Sequence, residues 1–105
     1  MILIETALFC KLNSRQDITL PNSIRNILLI LPGMIVTIRL LPGTNDIQIQ
    51  KGSASAVENK MVVSEKGSIR IPSEIIRRAR IRKGDRFRIY FTNNEESILL
   101  KKADI

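Results

Sequence analysis

Apolar and polar residues alternate along this chain in a pattern that changes period and then changes back. In "SIRIP" (68–72), Ile69 and Ile71 share one face while Ser68 and Arg70 share the other, the period-two signature of a half-buried strand. Pro72 stops that strand. In "SEIIRRAR" (73–80) the spacing becomes helical: Ile75, Ile76 and Ala79 fall on one side, and Glu74, Arg77 and Arg78 point elsewhere. Ser73 is placed to cap this short helix. "RKGD" (82–85) turns the chain. "RFRIYF" (86–91) alternates again, with Phe87, Ile89 and Phe91 against Arg86, Arg88 and Tyr90. "TNNEE" (92–96) has the residues of a hairpin turn, and "SILLKK" (97–102) is a closing strand. Upstream, "VENKMVV" (57–63) is β-rich and "SEKG" (64–67) is a turn.

The first half follows the same order. "TALFCKL" (6–12) and "DITLP" (17–21) are expected strands, and "NSIRNILL" (22–29) is a helix capped by Asn22 or Ser23. "LPG" (31–33) turns, "MIVTIRLL" (34–41) is a strand, "PGTN" (42–45) turns, and "DIQIQK" (46–51) closes. The two halves align without a gap: Pro21 falls on Pro72 and Gly33 on Gly84, a constant offset of 51 (72 − 21, 84 − 33). At that offset Ile18 meets Ile69, Ile24 meets Ile75, Ile30 meets Ile81 and Ile38 meets Ile89. One unit has been duplicated, as copies 1–51 and 57–105 joined by the small-residue linker "GSASA" (52–56). With helices of only about two turns, the class is mainly β.

A lone unit of roughly 50 residues buries too little surface to be comfortably stable. Cys10 is the sole cysteine and forms no internal disulfide; histidine is absent, so a zinc site is not expected. Cys10 fits a strand as a small buried hydrophobe. The two copies are therefore expected to share one core. The chain carries 17 Lys and Arg against 10 Asp and Glu, a net charge of +7, which favours polyanionic partners. Residues 1–51 hold five basic and three acidic groups (+2) and residues 52–105 hold twelve and seven (+5), so the second copy carries most of the field. No apolar run is long enough to span a bilayer. The start "MILIETALFCKLN" lacks a basic region and cleavage site, so no signal peptide is expected.

A turn, an alternating strand ending in Ile-Pro, a short Arg-bearing helix, Gly-Asp and two closing strands together resemble the AbrB/SpoVT family. Its members are swapped-hairpin DNA-binding domains of transcriptional regulators and of antitoxins such as MazE. The second copy carries the closer match in Gly67, "IRIP" (69–72), Glu74, Ile75, Arg77, Ile81, "KGD" (83–85) and "ILLKK" (98–102). The first keeps "ITLP" (18–21), Ile24, Arg25, Ile30 and Gly33. The resemblance implies two ββαββ units that lend each other hairpins and interlock as a barrel-like pseudo-dimer.

It also implies DNA contacts from arginines near the turn after the first strand and along the helix. The glycine of the family's Gly-Arg turn is Gly67, with Gln16 in the first copy; Ser68 and Asp17 stand where its arginine would be. Arg70, two residues on and on the same strand face, is the candidate replacement. The family's helix arginine is Arg25; the second copy has Ile76 there, followed by Arg77 and Arg78. Arg15 and Lys66 in the turns, and Arg80 and Arg82 beyond the second helix, complete the candidate set. Guanidinium and ammonium groups would pair with phosphates and release counterions, and Arg can grip guanine in the major groove. Arg86 and Arg88 equally suit outward charges guarding a strand edge. Glu74 and Asp85 suit partners for nearby cations or cap and turn roles rather than catalysis.

The expected function is a double-stranded-DNA-binding transcriptional regulator in the cytoplasm, associated with the nucleoid. Its expected partners are DNA and, if units pair between chains, further copies of itself; no membrane, small-molecule substrate or cofactor is expected. An antitoxin that represses its own operon is the alternative. The chain ends at Ile105 directly after its last strand, so the tail with which such antitoxins wrap a toxin is expected to be missing. A purely structural oligomerisation module is a third reading. No catalytic motif accompanies the lack of histidine, so an enzyme is not expected. Aromatic residues are too few to suggest single-strand stacking.

Overall fold

Strands carry most of the backbone pairing. The computed structural model describes residues 3–52, 59–92 and 97–103. The elements run β1 (Leu3–Lys11), β2 (Asp17–Thr19), α1 (Asn22–Leu28), β3 (Ile35–Leu40), β4 (Ile47–Lys51), β5 (Asn59–Val62), β6 (Ser68–Arg70), α2 (Ser73–Arg78), β7 (Arg86–Thr92) and β8 (Ser97–Lys102). The class is mainly β, as the alternation implied. Most of the 52–56 linker and the 92–96 turn lie outside the described residues.

Six strands form one antiparallel sheet in the order β1-β7-β8-β4-β3-β5, while β2 and β6 pair as a separate two-stranded ribbon. In the sheet, strands from the two sequence halves pair with each other at three places. β1 lies on β7, β5 lies on β3, and β4 joins β8. The registers repeat at the offset of 51. In the ribbon Ile18 faces Ile69, its own counterpart; in the sheet Gln48 faces Leu99, also its counterpart. Off that line, Ile47↔Leu100 mirrors Ile49↔Ile98, and Ile35↔Val62 mirrors Lys11↔Arg86. A local twofold therefore runs through the Ile18–Ile69 and Gln48–Leu99 pairs.

Backbone geometry obeys the same relation. Leu29 and Arg80 leave their helices at φ 55, Gly33 and Gly84 turn at φ 87 and 89, and Gln16 and Gly67 turn at φ 67 and 77. Each helix closes with a bond back across its last turn, from the Ile30 N–H to the Arg25 carbonyl (2.9 Å) and from the Ile81 N–H to the Ile76 carbonyl (3.0 Å). The expected N-caps are not formed. Pro21 and Pro72 hold those positions and no side chain caps either helix. Proline fixes φ near the value required and the chain enters from an extended residue, so Ser73 is one residue inside the helix and bonds elsewhere.

Both halves fill one core. Leu12 and Val63, Ile18 and Ile69, Leu20 and Ile71, Ile24 and Ile75, Ile38 and Ile89, and Ile47 and Ile98 are each buried at both members of the pair. Of the expected inward faces, Ile75 and Ala79 at α2 and Phe87, Ile89 and Phe91 on β7 are buried, and Ile76 is half-buried against the same core. The sheet is not closed into a barrel, contrary to expectation: its edge strands β1 and β5 sit at opposite ends and do not meet. β1 carries a bulge between Glu5 and Phe9 with Ala7 at φ 62. Thr6 Oγ1 donates to the Ile89 carbonyl (2.7 Å) and accepts the Leu8 N–H (3.1 Å), locking the bulge. A bulge of this kind bends an edge strand and interrupts its pairing row.

Ile69 is fully buried on the twofold. Ile69→Ala is expected to lower stability by about 2–5 kcal/mol. Urea unfolding followed by circular dichroism should remain a single transition, because no part of the core belongs to one half. Two resolved transitions would contradict a shared core.

Candidate nucleic-acid interface

The ribbon turns its apolar side chains, Ile18 and Ile69, inward and its polar ones outward. The outer surface consists of Asp17, Thr19, Ser68 and Arg70. Arg70 Nε reaches Asp17 Oδ1 at 3.4 Å, and the Thr19 and Ser68 hydroxyls lie 2.7 Å apart. A tight turn precedes each strand. Asn13 Oδ1 accepts the N–H groups of Arg15 (2.8 Å) and Asp17 (2.9 Å). Ser64 Oγ accepts those of Lys66 (3.3 Å) and Ser68 (3.0 Å). These short polar side chains replace backbone partners in the turn, leaving Arg15 and Lys66 exposed.

Antiparallel pairing sends the two turns to opposite ends of the ribbon. At one end the Leu20 N–H donates to the Gly67 carbonyl (3.3 Å), so Lys66 lies beside the entrance to α1. At the other the Ile71 N–H donates to the Gln16 carbonyl (2.8 Å) and Ser73 Oγ donates to Gln16 Oε1 (3.3 Å), so Arg15 lies beside the entrance to α2. Arg25 is half-buried. Its Nε donates to the Leu20 carbonyl (3.0 Å) and its Nη2 to Asn22 Oδ1. Its guanidinium lies against Gly67, where an added Cβ would collide with it. Arg15, Arg25, Lys66 and Arg70 thus surround one ribbon.

The remaining candidates are not part of that group. Arg77 and Arg78 are exposed on α2, Arg78 forming an i,i+4 pair with Glu74 at 3.8 Å. Pairs this exposed contribute little. Arg80 and Arg82 follow the C-terminal end of the helix. The Arg82 N–H donates to Asp85 Oδ2 (2.7 Å), and Lys102 Nζ meets the same oxygen at 3.2 Å. Burial alone would raise the Asp85 pKa. The Arg82 N–H and the Lys102 bond and charge outweigh it and hold the carboxyl below its ordinary value. Arg86 and Arg88 are not edge guards, because β7 lies inside the sheet between β1 and β8. They stack over the Phe9 ring at 5.0 and 5.4 Å, and Arg88 pairs with Glu5 at 3.1 Å.

Sequence reasoning missed Arg39. It lines a cleft of about 370 Å³ between α2 and β3 with Asn59, Glu74 and Arg78. Only the tertiary placement of α2 over β3 brings these groups together, so no local signal could have found it. Burial pushes the Cys10 thiol up to about 12, which leaves it protonated and unreactive at neutral pH. Among the described residues no three His, Cys, Asp or Glu side chains are grouped to hold a metal, and no helix is long and apolar enough to cross a membrane.

Residues 61–104 match the family model for antidote–toxin recognition MazE, bacterial antitoxin, which is related to AbrB and SpoVT. That span is the second half of the chain. The sequence matches no curated protein. Among solved structures the chain is similar to PHS018 from Pyrococcus horikoshii, a solution structure, at 19% identity over 100% of both chains with a TM-score of 0.56. At that identity the likeness is one of fold.

Gly67→Ala should displace the Arg25 guanidinium and strain a left-handed turn, lowering stability by about 1–2 kcal/mol; urea midpoints and the Arg25 Nε–H resonance check both effects. Asp85 has a depressed native pKa, so its contribution is complete above the unfolded value of about 3.9 and disappears as pH falls through the native one. The difference in urea midpoint between the wild type and Asp85→Asn is expected to be constant above about pH 5 and to shrink as pH falls below about 4.

Proposed function

We propose that this chain is a double-stranded-DNA-binding transcriptional regulator of the AbrB type. In this reading, units 1–51 and 57–105 are tandem swapped hairpins that interlock as a pseudo-dimer within one polypeptide. The exchanged strands β1 and β5 and the register offset of 51 support that arrangement. The observation that carries the function is the cationic ribbon. Its twofold passes between Ile18 and Ile69, and Arg15 and Lys66 stand at its two ends at equivalent positions.

A duplex has its own local dyads. A twofold ribbon laid across one places Arg15 and Lys66 against phosphates of opposite strands and Arg70 near the centre. Such contacts set register and orientation. The Thr19 and Ser68 hydroxyls, one residue to the side of the dyad, both donate and accept, so they can meet base edges or bridging water. The arrangement is one for binding, with neither cofactor nor small-molecule substrate, and belongs on the nucleoid in the cytoplasm. The second helix, with Arg77 and Arg78, extends the contact on one side only.

The match of residues 61–104 to the MazE model favours a second reading, an antitoxin that binds a toxin protein and represses its own operon. Co-expression with the product of an adjacent gene separates the two: relief of growth arrest together with a complex of defined stoichiometry would make the chain an antitoxin.

Fluorescence anisotropy with ~25-bp duplexes tests the primary reading. Affinity should fall by orders of magnitude between about 50 and 200 mM salt. Arg15→Ala, Lys66→Ala and Arg70→Ala should each reduce the magnitude of the log–log salt slope by about one. Absence of duplex binding at the lower salt would refute it.

A further inference from the structure

The two flanks related by the local twofold are chemically opposite. On the first-half flank, Ile27, Leu29, Leu31, Ile35 and Val62 are exposed by 53, 65, 62, 49 and 62%. Each has a counterpart 51 positions away, and every counterpart is basic: Arg78, Arg80, Arg82, Arg86 and Lys11. The cross-strand pair Ile35↔Val62 on one flank is Arg86↔Lys11 on the other. A twofold places counterparts on opposite sides, so the molecule has an apolar pole and a cationic pole.

The apolar residues belong to one surface. Leu29 and Leu31 flank buried Ile30 and so leave the helix on the same outer side. The Met34 N–H donates to the Leu31 carbonyl at 3.1 Å, the Gly33 N–H to the Val63 carbonyl at 2.8 Å, and the Val63 N–H to the Met34 carbonyl at 2.9 Å. The 31–35 turn therefore runs alongside the end of β5 that carries Val62. A contiguous patch of this kind, a few hundred Å² in area, is at the upper limit of what a monomer leaves in water.

We infer that this pole is a self-association face that seats the same pole of a second copy, making an isologous dimer of chains. Charge selects that occupant. Each chain carries +7, and joining apolar pole to apolar pole directs both cationic poles outward, as far apart as the assembly allows. An acidic partner would instead be drawn to the opposite flank. Area agrees: two such patches with their rim reach roughly 1,000–1,200 Å², the low end for a specific interface, which gives a reversible dimer rather than an obligate one.

The test is sedimentation equilibrium without DNA, so its result is independent of the DNA-binding reading. The wild-type mass should rise from the single-chain 11.9 kDa toward twice that value between about 1 µM and 1 mM, and half-molar salt should not weaken the association. Leu29→Arg/Leu31→Arg should remain at one chain mass with unchanged circular dichroism. The second half already accepts arginine at both equivalent positions, including Arg80 at φ 55. Leu31→Ser alone should raise the dissociation constant at least tenfold. A wild type that stays at one chain mass throughout overturns the inference. So does a dimer that survives both variants, which would assign the assembly to strand exchange between chains.

Discussion

Everything in this structure depends on one contact that neither half can make alone. Ile18 and Ile69 face each other on the ribbon with almost no solvent exposure. Around them the ribbon, both helices and the sheet enclose a single apolar cluster. A half of about 50 residues would leave its inward isoleucines facing water. Strand pairing between the halves extends the dependence: β7 needs β1, and β3 needs β5, for its second row of backbone bonds. Stability and the placement of the outer surface therefore have one origin. The side chains on the ribbon are ordered because the isoleucines beneath them are buried.

The same constraint explains why the halves match inside and differ outside. Most buried positions keep an aliphatic or aromatic residue at both counterparts, because a polar group there would lose its water without a partner; Gln48, opposite Leu99, is an exception whose Nε2 donates to Ser97 Oγ at 3.2 Å. Turn positions keep their unusual conformations, φ 55 at Leu29 and Arg80 and nearly equal positive φ at Gly33 and Gly84. Neither requirement reaches the exposed side chains. Leu29 and Arg80 show this most directly: the backbone angle is the same and the chemistry opposite. A fold held by its core leaves its two flanks free to differ in surface chemistry.

This division also decides what could be read from the sequence. Strand and helix faces were legible because burial imposes period, as in Phe87, Ile89 and Phe91 against Arg86 and Arg88. The shared core was legible because the isoleucines recur at a fixed offset. That the sheet stays open was not, because whether β1 meets β5 is decided by tertiary placement and leaves no local pattern. The caps were misassigned because Ser73 has the chemistry of an N-cap, while Pro72 already supplies the required backbone angle. Among the candidate cations, the turn pair Arg15 and Lys66 was legible from position alone. The bonds of Arg25 across Gly67 were not, because Gly67 comes from the other half and only the fold delivers it.

Those internal bonds sort the cations by what they can do. Arg25 has Nε on the Leu20 carbonyl and Nη2 on Asn22, so it is a fixed group whose free edge points in one direction. Arg70 has only an exposed pair with Asp17 at 3.4 Å, a contact of small net value, and exchanging that carboxylate for a phosphate costs about what the pair contributed. In the proposed complex Arg25 positions and Arg70 adapts. The counterpart of Arg25 is Ile76, which has no charge to offer. In that proposed complex the two ends of the ribbon would present unequal surfaces, and a duplex fitted to them would be a palindrome with one half-site degraded.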